Sequence, residues 1–154
     1  MSLEFKVVKG DLPSELKPKA IEHAVWALVN EIDVPGDKTG FFNQTLKTIA
    51  QTTILNGSGD FWLAHEDGVV MAYAIAFLGA DIDDKLTYRL PQAWLHPKLR
   101  GDRRVKEWWE LIRKRAIECM AQHILIISAR NAEAFCRWMG HNAHLYATLL
   151  KEDL

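Results

Sequence analysis

Cysteine is nearly missing from this chain: Cys119 and Cys136 are the only two among 154 residues. Two cysteines cannot make a disulfide framework, and their placement gives no metal-ligand spacing, so no metal is expected. A reduced, cytoplasmic setting is the expectation. Long apolar runs are missing too. The longest uncharged hydrophobic stretch, Val69 to Ala80, has 12 residues, whereas a spanning helix needs about 20. A membrane partner is therefore not expected. The N-terminus has no basic segment followed by an apolar run, so nothing points to export. There is also no surplus of one charge: 19 basic against 20 acidic residues give a net charge of −1. A nucleic-acid binder that works through overall positive charge is disfavoured. Repeats, low-complexity tracts and linkers do not occur.

What the chain does have is ordinary globular composition, 49% hydrophobic and 25% charged, at a length that suits a single domain over residues 1–154. Residues 3–9 read as a strand. A helix follows from about Pro13 or Ser14 to Ile32, with Ile21, Val25, Leu28, Val29 and Ile32 at helical spacing. Pro18 either divides that helix or sits in a new first turn. After a loop at 34–37, a second helix spans about Thr39 to Leu55. Phe61 to His65 is a strand, Asp67-Gly68 a tight turn, and Val69 to Leu78 the returning strand. Another strand runs from about Leu86 to Leu95, with Pro91 implying a bulge. Next comes a helix whose Val105, Trp108, Trp109, Ile112, Ala116, Cys119 and Met120 trace one stripe. Ile124 to Ile127 is a buried strand, Asn131 to Met139 a short helix and Ala143 to Leu150 a last strand. The order β-α-α-β-β-β-α-β-α-β predicts an α/β fold with a mixed sheet. That sheet is mostly antiparallel, with one parallel pair joined by a right-handed crossover between Leu86 and Ala129.

Charge is uneven along this scaffold. From Lys98 to Arg115, eight basic residues face three acidic ones, +5 in 18 residues. Arg100, Arg103 and Arg104 crowd the start of the third helix, where the helix dipole disfavours cations by about 0.3–1 kcal/mol each. An anion held by free N–H groups and guanidinium forks would account for that crowding. So would a solvated basic face whose arginines pair with Asp102, Glu107 or Glu110. The anion reading fails if the chain's own carboxylates fill the pocket or Val105 blocks it.

The segment Trp94-Leu95-His96-Pro97-Lys98-Leu99-Arg100-Gly101 resembles the strand-and-loop motif V-x-P-x-x-R-G of the GCN5-related N-acetyltransferase (GNAT) superfamily, and the element order resembles that fold from Phe5 onward. The resemblance implies a divergent member with splayed central strands. It also implies acetyl-CoA as co-substrate, its pyrophosphate lying on a loop of pattern Arg/Gln-x-x-Gly-x-Gly/Ala. Arg100 fits the first position of that pattern. Arg103 and Val105 stand where the family has small residues. The implied cofactor-binding residues are Ala93, Trp94, Leu95, Arg100, Gly101, Asp102, Arg103, Arg104 and Val105. A backbone N–H near Trp94 or Leu95 is then the expected donor to the thioester carbonyl. Ile127, Ser128 and Ala129 are expected across the splay.

The family's tyrosine acid has no direct counterpart, because Cys136 stands at its position when the motif is anchored on Gly140. Cys136, Tyr88 and Tyr146 are candidates for the acid, unranked. Asp81, Asp83, Asp84 and His96 are candidate bases, with solvated turns as their plainer reading. Trp26, Phe41 and Phe42 suit an acceptor pocket or plain core, and Trp108 and Trp109 suit core. Three functions compete. The first is an acetyl-CoA-dependent N-acetyltransferase acting on a small-molecule or protein amine, with a homodimer suggested by analogy. The second is a catalytically silent binding or assembly protein of the same fold, as in degenerate bacteriophage-encoded members. The third, least supported, is a nucleic-acid binder using the basic helix.

Overall fold

Alternation of large and small side chains builds the sheet and decides which helix covers which face. In a strand, successive side chains point to opposite faces. In the computed structural model, which describes residues 3–8, 12–32, 34, 36–54, 59–81 and 84–127, β1 (Glu4–Val8), β2 (Gly59–Glu66), β3 (Val69–Ala80), β4 (Leu86–Leu95) and β5 (His123–Ile126) lie side by side in chain order. The first four are antiparallel, and β5 joins β4 in parallel. Phe61, Leu63, Tyr73 and Ile75 face one core with α1 (Pro18–Glu31) and α2 (Lys38–Ile54). Trp62, Ala64, Ala72, Ala74 and Ala76 face a second core with α3 (Arg103–Glu118). On that side the alanines of β3 leave room for the rings of Trp62, Trp108 and Trp109, all buried in the same cluster. The strand pattern, the mixed sheet and the order of the first eight strands and helices are therefore those expected from the sequence. However, β5 is half-buried rather than buried, with Ile127 exposed after it. The third helix, α3, ends at Glu118, which leaves Met120 exposed and off the expected stripe.

Local chemistry sets the boundaries. Pro18 sits in the first turn of α1, where its missing N–H costs nothing, so the helix starts there and residues 13–16 form a turn. Asp67 and Gly68 both have positive φ (51° and 75°), the conformation a two-residue hairpin needs. Two bulges interrupt the ladders. One places Met71 and Ala72 on the same face of β3. The other opposes Leu90 and Pro91 of β4 to Ala76 alone, as Pro91 implied. Past it, Gln92 and Trp94 lie on the α1–α2 side. The helix expected at Asn131 to Met139 and the strand at Ala143 to Leu150 lie outside the described residues.

Candidate functional site

The bulge at Leu90–Pro91 determines what the second half of β4 offers. Pairing with β5 runs, among the described residues, to Leu90 opposite Ile126, with one further bond from the Ile127 N–H to the Leu90 carbonyl at 3.3 Å. Among the described residues, no strand pairs with that side of Pro91 to Leu95. The His96 N–H donates to the Met71 carbonyl at 2.8 Å, in register with Ala72 opposite Leu95. Antiparallel ladders alternate, so the Trp94 and Gln92 N–H groups turn toward β3 and those of Ala93 and Leu95 turn to the open edge. Of the two donors expected for a thioester, the Leu95 N–H faces away from β3 and the Trp94 N–H faces it. Ala93 is a further outward donor.

Beyond β4 the chain makes a 3-10 turn at Pro97–Leu99 and enters α3. His96 Nδ1 accepts the Lys98 N–H at 3.2 Å, and its ring meets Trp94 edge-on, 5.9 Å between centroids. Gly101 has φ of +84°, a left-handed turn that glycine takes without strain. Asp102 caps α3: its carboxylate accepts the Arg104 N–H at 2.9 Å and holds the Arg104 guanidinium at 2.9–3.2 Å. These bonds keep the Asp102 carboxyl below its ordinary range, the Arg104 side chain contributing most. Val105 is buried in the α3 core, and Arg103 is exposed. The Gly101 and Arg103 N–H groups have no partner among the described residues. Those of Arg100, Asp102, Arg104 and Val105 all donate within the protein.

Arg100 points back along the edge. Its Nε and Nη2 donate to the Leu95 carbonyl at 3.3 and 3.1 Å, and Nη2 also donates to Glu31, the last residue of α1. The other Glu31 oxygen accepts the Trp94 indole N–H at 3.4 Å. Two of the three crowded guanidinium groups thus already meet carboxylates of the chain, and crowding alone does not call for an outside anion. Asp102 was foreseen as such a partner, but Glu31 was not. Its signal was an acid at a helix C-terminus, where the dipole disfavours it.

On the α1–α2 face beside the bulge, Gln92 joins three elements. Its amide nitrogen donates to buried Thr45 Oγ1 on α2 at 2.8 Å, and its oxygen accepts from the Tyr73 hydroxyl at 3.3 Å. Trp26 and Phe42 stack 4.4 Å apart against this core. On the opposite face Tyr88 is buried, donating its hydroxyl to Asp60 at 2.7 Å and accepting the Trp62 indole at 3.0 Å. Arg115 of α3 grips both Asp60 oxygens at 2.9 and 3.1 Å. Burial, reinforced by Asp60, pushes the Tyr88 phenol far up. Tyr88 is thus a neutral member of a structural network, committed to a carboxylate. Asp81 pairs with Arg89 at 3.6 Å, and Asp84 takes a left-handed turn position. Trp108 and Trp109 are core. Among the described residues no cluster suits a metal ion, and no helix is long and apolar enough to cross a membrane. Asp83, Ser128, Ala129, Cys136 and Tyr146 lie outside the described residues.

This arrangement can be set beside known proteins. No family model and no curated protein matches the chain. Solved structures do. A GNAT family acetyltransferase of Staphylococcus aureus superposes with a TM-score of 0.64 at 10% identity, covering 99% of each chain. Glucosamine-6-phosphate N-acetyltransferase of Arabidopsis thaliana gives 0.64 at 13% identity over 97% of this chain and 98% of that one. A predicted acetyltransferase of Clostridium acetobutylicum, solved with acetyl-CoA, gives 0.61 at 10% identity over 97% and 96%. Likeness at such low identity defines an architecture: the chain has the GCN5-related N-acetyltransferase fold.

Proposed function

We propose that residues 1–154 act as one GNAT-like domain that transfers an acetyl group from acetyl-CoA to an amine. The observation that carries the reading is the edge of β4 past Pro91, where the Ala93 and Leu95 N–H groups face away from β3 and no strand among the described residues pairs with them. An extended pantetheine arm adds to such an edge as a strand would. The fold's acetyltransferase neighbours, one of them solved with acetyl-CoA, support the same reading. In this reading the Gly101 and Arg103 N–H groups and the Arg103 guanidinium are the donors left for a pyrophosphate, and Arg100, held by Glu31 and the Leu95 carbonyl, must be released to join them.

Transfer joins the amine nitrogen to the acetyl carbon as the carbon–sulfur bond breaks. The amine gives up a proton to a base, and the thiolate takes one from an acid. A donor at the Ala93 or Leu95 N–H stabilises charge on the carbonyl oxygen, and such donors are worth about 2.7–4 kcal/mol in related acyl chemistry. With the Tyr88 hydroxyl held by Asp60, Cys136 and Tyr146 stay as candidates for the acid.

The first test is thermal unfolding with acetyl-CoA. Ligand at about 100 times Kd adds about 2.7 kcal/mol to the native state, several degrees of Tm for a chain of this size. Arg100→Glu should remove the shift. A wild-type Tm unchanged at millimolar acetyl-CoA would overturn the proposal and favour the silent, assembly-type alternative. Release of free thiol with a panel of primary amines then identifies the acceptor class.

A further inference from the structure

Glu31 and Arg100 are 69 residues apart, and each stands at the wrong end of a helix for its charge. Glu31 ends α1, where exposed carbonyls already carry negative charge and no basic residue occupies the last turn. Arg100 precedes α3, where exposed N–H groups carry positive charge. Local helix electrostatics opposes both positions, and the contact between them relieves both. The same contact covers the candidate site: Arg100 lies on the Leu95 carbonyl, one of the groups turned to the open edge, and Glu31 is tied to Trp94 of the same strand.

We infer that Glu31 is a displaceable internal counterion: it holds Arg100 in the free protein and yields it to the phosphates of an incoming donor. This inference rests on the donor-dependent reading above and adds an autoinhibitory contact to it. The Arg100 and Glu31 side chains are 35% and 26% exposed, and pairs open to solvent to this degree shift equilibria by at most about fivefold. A diphosphate brings more charge and more acceptor oxygens than one carboxylate, so it wins the exchange. The Asp102–Arg104 pair is of a different kind. Its carboxylate also caps the backbone of α3, so releasing Arg104 would forfeit the cap and that pair stays closed. Displacement frees the end of α1 from Trp94, linking donor arrival to the α1–α2 face, where Gln92, Thr45 and Tyr73 meet.

The test is calorimetric titration of the whole chain with CoA, comparing wild type, Glu31→Gln and Glu31→Asp, with two-dimensional NMR of the six tryptophan indole N–H groups. Trp94→Phe assigns the relevant signal, and a thermal melt of each variant verifies folding. Glu31→Gln should bind CoA about two- to fivefold tighter, and Glu31→Asp should stay near wild type. CoA should move the Trp94 signal in wild type toward its position in ligand-free Glu31→Gln. Equal or weaker binding by Glu31→Gln, or a stationary Trp94 signal in a wild type that binds CoA, overturns the counterion and leaves the donor reading intact. No binding by any of the three proteins overturns the donor reading and this inference together.

Discussion

Asp60 shows how single side chains in this protein are valued by their surroundings. A carboxylate buried at the start of β2 is expensive unless every oxygen is met. Here the Tyr88 hydroxyl and the Arg115 guanidinium meet both. Tyr88→Phe removes one donor and strands the Trp62 indole, so urea unfolding at neutral pH should show a loss of about 1–3 kcal/mol. The pH dependence has a definite sign. The ordinary phenol value is 10.0 and the folded one is raised. The stability Tyr88 contributes is therefore complete below about pH 10 and falls as pH rises toward the raised value. Stability measured from pH 8 to 11 should decline more steeply in wild type than in Tyr88→Phe. None of this network was legible in the sequence, because its members lie 26, 28 and 55 residues apart and each is unremarkable alone. The same holds for Glu31, whose partner becomes visible only when α1 is laid against β4.

At the scale of elements, the bulge in β4 is the decisive departure from regularity. One extra residue lets Gln92 and Trp94 occupy the α1–α2 face while Leu90 and Tyr88 stay on the α3 face. Deleting Pro91 would remove the extra residue and leave Leu90 opposite Ala76 and Gln92 opposite Ile75, a regular ladder that keeps Trp94 in its own core. We expect that deletion to keep a cooperative unfolding transition, as read by circular dichroism against temperature. Pro91→Ala, which keeps the count, should cost only about 0.4–1 kcal/mol. The elements themselves were readable from the sequence because their patterns are strong: the stripe from Val105 to Ala116, the Asp67-Gly68 turn and proline's incompatibility with a regular ladder all act locally. The register was not readable. Which N–H of Ala93, Trp94 and Leu95 turns outward depends on how β3 aligns with β4, a tertiary property.

For the whole molecule, two cores share one sheet, and the strands between them are sealed on both sides. Phe61, Leu63, Ala64, Ala72, Tyr73, Ala74 and Ala76 are fully buried. In hydrogen exchange, amides of β2 and β3 should open only with global unfolding, whereas β1, which among the described residues pairs with β2 alone, should open with a smaller free energy. Equal protection across all these strands would mean that the sheet behaves as one indivisible unit.

The alanines that line one side of β3 carry a consequence for how this architecture can change over generations. Ala72, Ala74 and Ala76 are fully buried in the cluster that also holds Trp62, Trp108 and Trp109. Growth at any of the three must be matched by shrinkage elsewhere in that cluster, because interiors are close-packed. Size there is thus a joint property of strand and helix, and neither can drift without the other.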